Sequence, residues 1–159
     1  MLHVRVVLRC VLLAITAIGT TAAERDLTPY HRADIAAAKT SIYVGSVTLT
    51  LPPFLRVAGG YEADYAAKVF PFFFSNEAGR LRIELADATL RQLEAGQAIE
   101  FTGTAIRSDG LQRRVHGKAT PTDAQSGRIK VRVNVTRTTE LIFNTTYRFP
   151  GVTPSVIDH

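Results

Sequence analysis

The stretch AIEFTGTAIRSDGLQRRVHGKAT, Ala98 to Thr120, decides the fold class. Two runs of alternating apolar and polar residues flank Ser108-Asp109-Gly110, a three-residue turn that suits a hairpin with Gly110 at the left-handed position. Folding the chain about that turn sets Phe101 opposite Gly117 and Gly103 opposite Val115, large against small, on an inner face. Glu100 then meets Lys118 on the outer face, an attractive cross-strand pair. Arg113 is the exception, an inward-facing cation opposite Ala105. Its place is near a barrel or sheet end, where its head can reach out past its apolar stem.

The alternation continues downstream. RIKVRVNV and ELIFNTTYRF read as two further strands, joined to the first pair by the turn PTDAQSG. The expected register sets Val115 against Val131, Val133 against Phe143 and Val135 against Leu141. On the outer face the same register brings Arg114, His116 and Lys118 against Arg132, Lys130 and Arg128, with Arg148 beside Arg128. Like charges directly opposite are mildly destabilising. A stripe of this density is either an ordinary solvated face that discourages edge pairing or a binding face for an anionic polymer, glycan or membrane surface.

Upstream, Ser41–Leu51 carries Val47, Leu49 and Leu51 on one face. The run from Tyr61 to Val69 alternates with Tyr61, Ala63 and Tyr65 inward, and Glu62, Asp64 and Lys68 outward. RLRIEL places Leu81, Ile83 and Leu85 inward. DATLRQLEAG reads as a helix with Asp87 as cap, Leu90 and Leu93 on one face, and Gly96 as the stop. The expected fold is all-β and mainly antiparallel: a meander of about seven strands forming a small barrel or sandwich, with one short helix between strands 3 and 4. LTPYHRADIAAAK, Leu27 to Lys39, reads as a short helix or a leader, with Thr28 capping and Pro29 at the first helical position.

Four of the eight phenylalanines fall within Phe70 to Phe74. By parity Phe73 points into the core, while Phe70, Phe72 and Phe74 emerge on the outer face as a candidate apolar ligand site. The expected cover for them is the helix from Asp87, through Leu90 and Leu93, because large bare apolar patches are uncommon.

At the N-terminus, Arg5 and Arg9 precede the apolar run Cys10–Gly19, and Thr21 and Ala23 provide small residues before Glu24. This is the layout of a secretory signal peptide cleaved after residue 23. The remainder divides into a leader or short helix at 24–40, a single β domain at 41–149 and a C-terminal tail at 150–159. The expected location is the periplasm or the exterior. The formal charge is +5 at pH 7, two units of it from Arg5 and Arg9, and the only cysteine is Cys10. Without thiols the remaining chain relies on a hydrophobic core rather than on disulfides.

The chemistry-bearing residues are sparse. His31, His116 and His159 lack ligand spacing, so neither a metal site nor a cofactor is expected, and no nucleophile elbow or phosphate-binding loop occurs. The basic stripe has Thr102, Thr104, Asn144 and Thr146 for neighbours rather than aromatics, which argues against nucleic acid. The sequence thus favours an exported, non-catalytic binding module that engages an anionic surface or glycan through the basic face, or an apolar small molecule through the phenylalanines. The alternatives are a small hydrolase using Glu62, Asp64 or Glu84 with His116, and a structural or assembly protein.

Overall fold

A computed structural model describes residues 27–152. The expected signal peptide and the end of the C-terminal tail lie outside the described residues. The strands are β1 (Arg32–Ile35), β2 (Ala38–Ile42), β3 (Gly45–Thr50), β4 (Phe54–Val57), β5 (Gly60–Phe70), β6 (Glu77–Glu84), β7 (Ile99–Arg107), β8 (Gln112–Pro121), β9 (Ser126–Asn134) and β10 (Glu140–Arg148). One helix, α1 (Asp87–Glu94), joins β6 to β7.

All pairings are antiparallel, and β5 through β10 form a meander. The ring closes because β10 pairs with β1, β1 with β4 and β4 with β5. Two of the eight staves of this barrel are bent. Leu51-Pro52-Pro53 separates β3 from β4, since adjacent prolines cannot feed a ladder; the stretch LPPFLRVAGG reads as a loop throughout, but Phe54–Val57 within it forms β4. Ala36-Ala37 separates β1 from β2. In the half reached by β2 and β3, β3 pairs with β5 and β2 with β3. The connection to β10 above Ile35 rests on the Ala36 N–H to the Thr146 carbonyl at 3.0 Å and on the Thr145 hydroxyl to the Ala36 carbonyl at 2.7 Å.

The all-β reading holds, with three corrections. The closed barrel has eight staves rather than about seven strands. The expected helix over Leu27–Lys39 is instead a single 3-10 turn at Thr28–Tyr30 followed by β1 and β2. This segment's alanines favour a helix locally, but Asp34 and Ile35 pair with Arg148 and Tyr147 to close the barrel, and that tertiary pairing outweighs weak propensity. The helix at Asp87 does form, with Gly96 at φ +79° behind it. Its cap residue is Ala86, and Asp87 pairs instead with Arg56.

The register across the S-D-G turn is as expected, from Glu100↔Lys118 to Ala105↔Arg113. The next two hairpins are each displaced by two residues: Val115 faces Val133, Val131 faces Phe143, and Val133 faces Leu141. Alternation fixes which face a side chain takes, and a slip of two leaves every face unchanged. The turns decide the rest. Asp123 accepts the N–H groups of Gln125 and Ser126 at 2.8 and 2.7 Å, which tightens the first loop. In the second, the Thr136 hydroxyl accepts the Thr139 N–H at 2.9 Å, and the Val135 N–H reaches the Thr139 carbonyl at 2.9 Å.

One end of the barrel is filled. The rings of Tyr30 and Tyr147 meet Phe149 edge-on at 4.9 and 5.4 Å, and Tyr61 lies 6.4 Å from it. Leu90 and Leu93 of α1 close this end beneath Leu85 and Ile99, and all four are buried. The Tyr61 hydroxyl donates to the Tyr30 carbonyl at 2.5 Å, which satisfies its polar tip. Two glycines admit their aromatic cross-strand partners. A β-carbon on Gly117 would sit 2.0 Å from the Phe101 ring, and one on Gly127 would sit 2.6 Å from the Tyr147 ring.

Candidate functional site

The other end is open. Its inward residues are mostly small aliphatics: Val47 on β3, Ala67 and Val69 on β5, Ala105 on β7, Val115 on β8, Val131 and Val133 on β9, and Leu141 on β10. Together they surround a cavity of about 820 Å³. An eight-stranded barrel is just wide enough to be filled by side chains or to hold one small ligand, so residue size decides between the two. Below this cavity lies an apolar pocket of about 100 Å³ that reaches toward Tyr61, Tyr147 and Phe149. Leu49, Leu81, Val115, Val131 and Phe143 line both spaces. They form a waist between an open chamber and a narrow one.

One polar cluster interrupts the apolar wall. Arg113 donates to Glu77 in a fork, Nη2 to Oε2 at 2.8 Å and Nε to Oε1 at 3.1 Å, and its Nη1 reaches the Val135 carbonyl. The Tyr65 hydroxyl donates to Glu77 Oε1 at 2.7 Å. Arg107 lies 3.8 Å from Glu77 Oε2 and also pairs with Asp109 through Nε at 2.7 Å. Burial acts to raise the Glu77 carboxyl, but the hydrogen bonds from Arg113 and Tyr65 and the two nearby guanidinium charges outweigh it. The net shift is downward. Burial, followed by the bond to Glu77, pushes the Tyr65 phenol well above its ordinary range. Glu77 is thus ionised at neutral pH, and two guanidinium groups face it across the cavity wall.

Of the phenylalanines, Phe72 and Phe74 line the rim of the cavity, their rings 5.8 Å apart. Phe70 lies outside it, 59% exposed, with its ring 5.9 Å from Phe73. The expected cover by α1 is absent, because Leu90 and Leu93 belong to the core cluster of the closed end. Phe73 is not core either. The strand stops at Phe70, a cis peptide precedes Pro71, and Phe73–Ser75 forms a 3-10 turn that leaves Phe73 64% exposed. Inward parity does not survive the end of a strand.

The basic residues keep their common outer face in the new register. His116 faces Arg132, Lys118 faces Lys130, Thr120 faces Arg128, and Arg148 lies opposite Ser126 rather than beside Arg128. Arg114 lies opposite Thr104 on the other side. A groove of about 520 Å³ runs over His116, Lys118, Lys130 and Arg132, with Glu84 and Glu100 at its far wall. Arg132 is tied to Glu140 at 2.9 Å.

The residues considered for hydrolysis are engaged elsewhere. Glu62 pairs with Arg82 at 2.5 Å, Asp64 lies 3.7 Å from Arg80, and Glu84 accepts the Thr102 hydroxyl at 3.0 Å. His116 is separated from Glu84 by strand β7, roughly 10 Å at ordinary strand spacing. Among the described residues no three of His, Cys, Asp and Glu come together as a metal site would need.

Sequence reasoning placed Arg113 inward but missed its partner. Glu77 lies two and four residues before Gly79 and Leu81, and so shares their inward parity. A charge facing a core needs an opposite charge there, and that requirement singles out Glu77. No family model, no curated protein and no solved structure matches the chain.

Proposed function

We propose that this protein is an exported, non-catalytic binding module that holds one elongated apolar molecule in the open half of its barrel. The observation that carries the reading is the chamber of about 820 Å³ walled by valine, alanine and leucine, set above a closed aromatic floor. Its size lies within the range of small-molecule pockets, roughly 300–1,000 Å³, and a mostly apolar wall with a few convergent polar groups is their usual composition. Arg113 and Arg107 near the rim suit a ligand with an acidic or strongly hydrogen-bonding head and an apolar tail directed past the waist.

Titration with a polarity-sensitive fluorescent fatty acid tests this. Saturable binding of one probe per chain is expected, falling at least tenfold in Ala67→Phe/Val133→Trp, which fills the chamber. Linear, unsaturable fluorescence in the unsubstituted protein contradicts the reading.

A second reading has its own observation. Lys118 and Lys130 lie directly opposite one another, and among the described residues no acidic side chain is paired to Lys130, above a groove bordered by His116 and Arg132. Such a face suits an anionic polymer or glycan. Retention on immobilised heparin that falls steeply with salt, and is lost in Lys118→Glu/Lys130→Glu, supports it. Salt-insensitive retention removes it.

A further inference from the structure

Among the described residues the large, well-exposed apolar side chains are not scattered over the barrel. They are Tyr43, Val44, Leu55, Phe70, Phe72, Phe73, Phe74, Ile106 and Leu111, and all except Leu55 lie at the open end. Tyr43 and Val44 form the β2–β3 turn, Phe70 to Phe74 the β5–β6 connection, and Ile106 and Leu111 flank the β7–β8 turn. Exposed apolar surface that is gathered at one end, rimming an apolar chamber, calls for a partner.

These side chains stand on well-tied backbone. The Val69 N–H donates to Asn76 Oδ1 at 2.8 Å, and the N–H groups of Ser75 and Asn76 reach the carbonyls of Phe72 and Phe73 at 2.9 and 3.1 Å. The rings are therefore held outward by the fold, and exposing them is built into the connection rather than a result of fraying.

Charge identifies what they meet. Behind the apolar tips, Lys39, Thr48 and Lys68 form one row across β2, β3 and β5, a short step below Phe70 on the outer face. Arg137 occupies the β9–β10 turn at the same end. None of these three cations is ion-paired to an acid among the described residues, whereas Asp109, Glu77 and Glu140 at this end are already held by arginines. Aromatic and aliphatic tips with long basic side chains set just behind them match the depth profile of a lipid interface. There the rings enter the acyl boundary and the ammonium groups reach up to the phosphates. A protein partner would supply acidic side chains to the cations but would have no reason to favour a ring of apolar tips around a hollow centre.

We infer that the open end of the barrel docks onto the surface of an anionic lipid bilayer. Tyr43, Val44, Phe73, Phe74 and Leu111 enter the interface, and Lys39, Lys68 and Arg137 contact headgroup phosphates. In that pose the chamber opens directly onto the acyl region, so a molecule with an apolar tail passes between membrane and barrel without crossing water. The docking itself does not depend on the chamber being a ligand site.

Flotation with vesicles of phosphatidylcholine, alone or mixed with phosphatidylglycerol, tests the docking on the chain without its N-terminal 23 residues. The protein is expected to float with the mixed vesicles and much less with phosphatidylcholine alone. Phe73→Ser/Leu111→Ser lowers partitioning at least tenfold. These two side chains do not line the chamber, and an unchanged circular dichroism spectrum and urea midpoint verify that the variant folds. Lys39→Gln and Lys68→Gln each lower binding to mixed vesicles, by about fivefold per basic residue removed, and leave the weak phosphatidylcholine binding unchanged. Absence of flotation overturns the inference, as does flotation untouched by Phe73→Ser/Leu111→Ser or abolished by Lys118→Glu/Lys130→Glu alone. Self-association through the rim, seen as a dimer in sedimentation velocity that Phe73→Ser/Leu111→Ser dissolves, overturns it in favour of a second copy. Vesicle binding without probe binding removes the ligand reading and leaves the docking; probe binding without vesicle binding does the reverse.

Discussion

The two ends of this barrel are built from the same eight staves and differ in what those staves point inward. At the closed end Tyr30, Phe54, Tyr61, Tyr147 and Phe149 meet Leu90 and Leu93 from α1, and all are buried. At the open end the corresponding positions carry Val47, Ala67, Val69, Val131 and Val133. The closed end supplies most of the packing and the open end most of the empty space. Packing and empty space are thereby assigned to different halves of one β-sheet, with side-chain volume rather than backbone as the agent.

Removing packing is the sharpest way to test that division. Phe149→Ala deletes the ring on which Tyr30, Tyr61 and Tyr147 converge and is expected to cost about 3–5 kcal/mol, measured by urea denaturation. Val133→Ala, at the open end, removes a side chain that already borders a void and should cost less than about 1 kcal/mol. Comparable losses at both sites would erase the distinction.

Overfilling the wall of the narrow pocket, which Phe101 lines, is expected to cost less. Gly117→Val places carbon inside the Phe101 ring's volume, 2.0 Å from its nearest atom. The expected destabilisation is about 1–3 kcal/mol. Partial recovery in Gly117→Val/Phe101→Leu would tie the loss to that contact.

The ends also differ in their response to pH. Glu77, at the open end, has its carboxyl held below the ordinary range. Its contribution is therefore present above the unfolded value, about 4.3, and is lost as pH falls through the lower folded value. Glu77→Gln should cost about 2 kcal/mol at neutral pH and flatten the acid limb of a stability–pH curve. At the closed end burial, followed by the neighbouring charges, pushes the Tyr30 and Tyr147 phenols up to about 12. The folded state there keeps protons that the unfolded chain loses, so stability falls as pH rises from about 10 through that folded value. An acid limb that persists in Glu77→Gln would place its origin elsewhere.

Much of the fold could be read from residues, and the gaps have physical causes. Alternation in Ala98–Thr120 assigned every face, and the left-handed Gly110 at φ +89° fixed the first hairpin's register. The following registers slipped by two because Asp123 and Thr136 tighten their loops, and period-two patterning is blind to such a shift. β1 and β2 escaped notice because Ala33, Ala36, Ala37 and Ala38 carry no strand signature; partners distant in sequence make them strands. Proximity in sequence suggested that α1 would cover Phe70, Phe72 and Phe74, but β6 carries the chain to the opposite end before the helix begins. The cavity itself was the least legible feature. A hollow depends on the summed volume of residues from many strands, and no single strand announces it.

Native mass spectrometry on the protein incubated with a mixture of long-chain fatty acids and long-chain alcohols tests the central claim most directly. One adduct per chain is expected, lost in Ala67→Phe/Val133→Trp and retained in Lys118→Glu/Lys130→Glu. Bare protein throughout, or an adduct indifferent to filling the chamber, would contradict it.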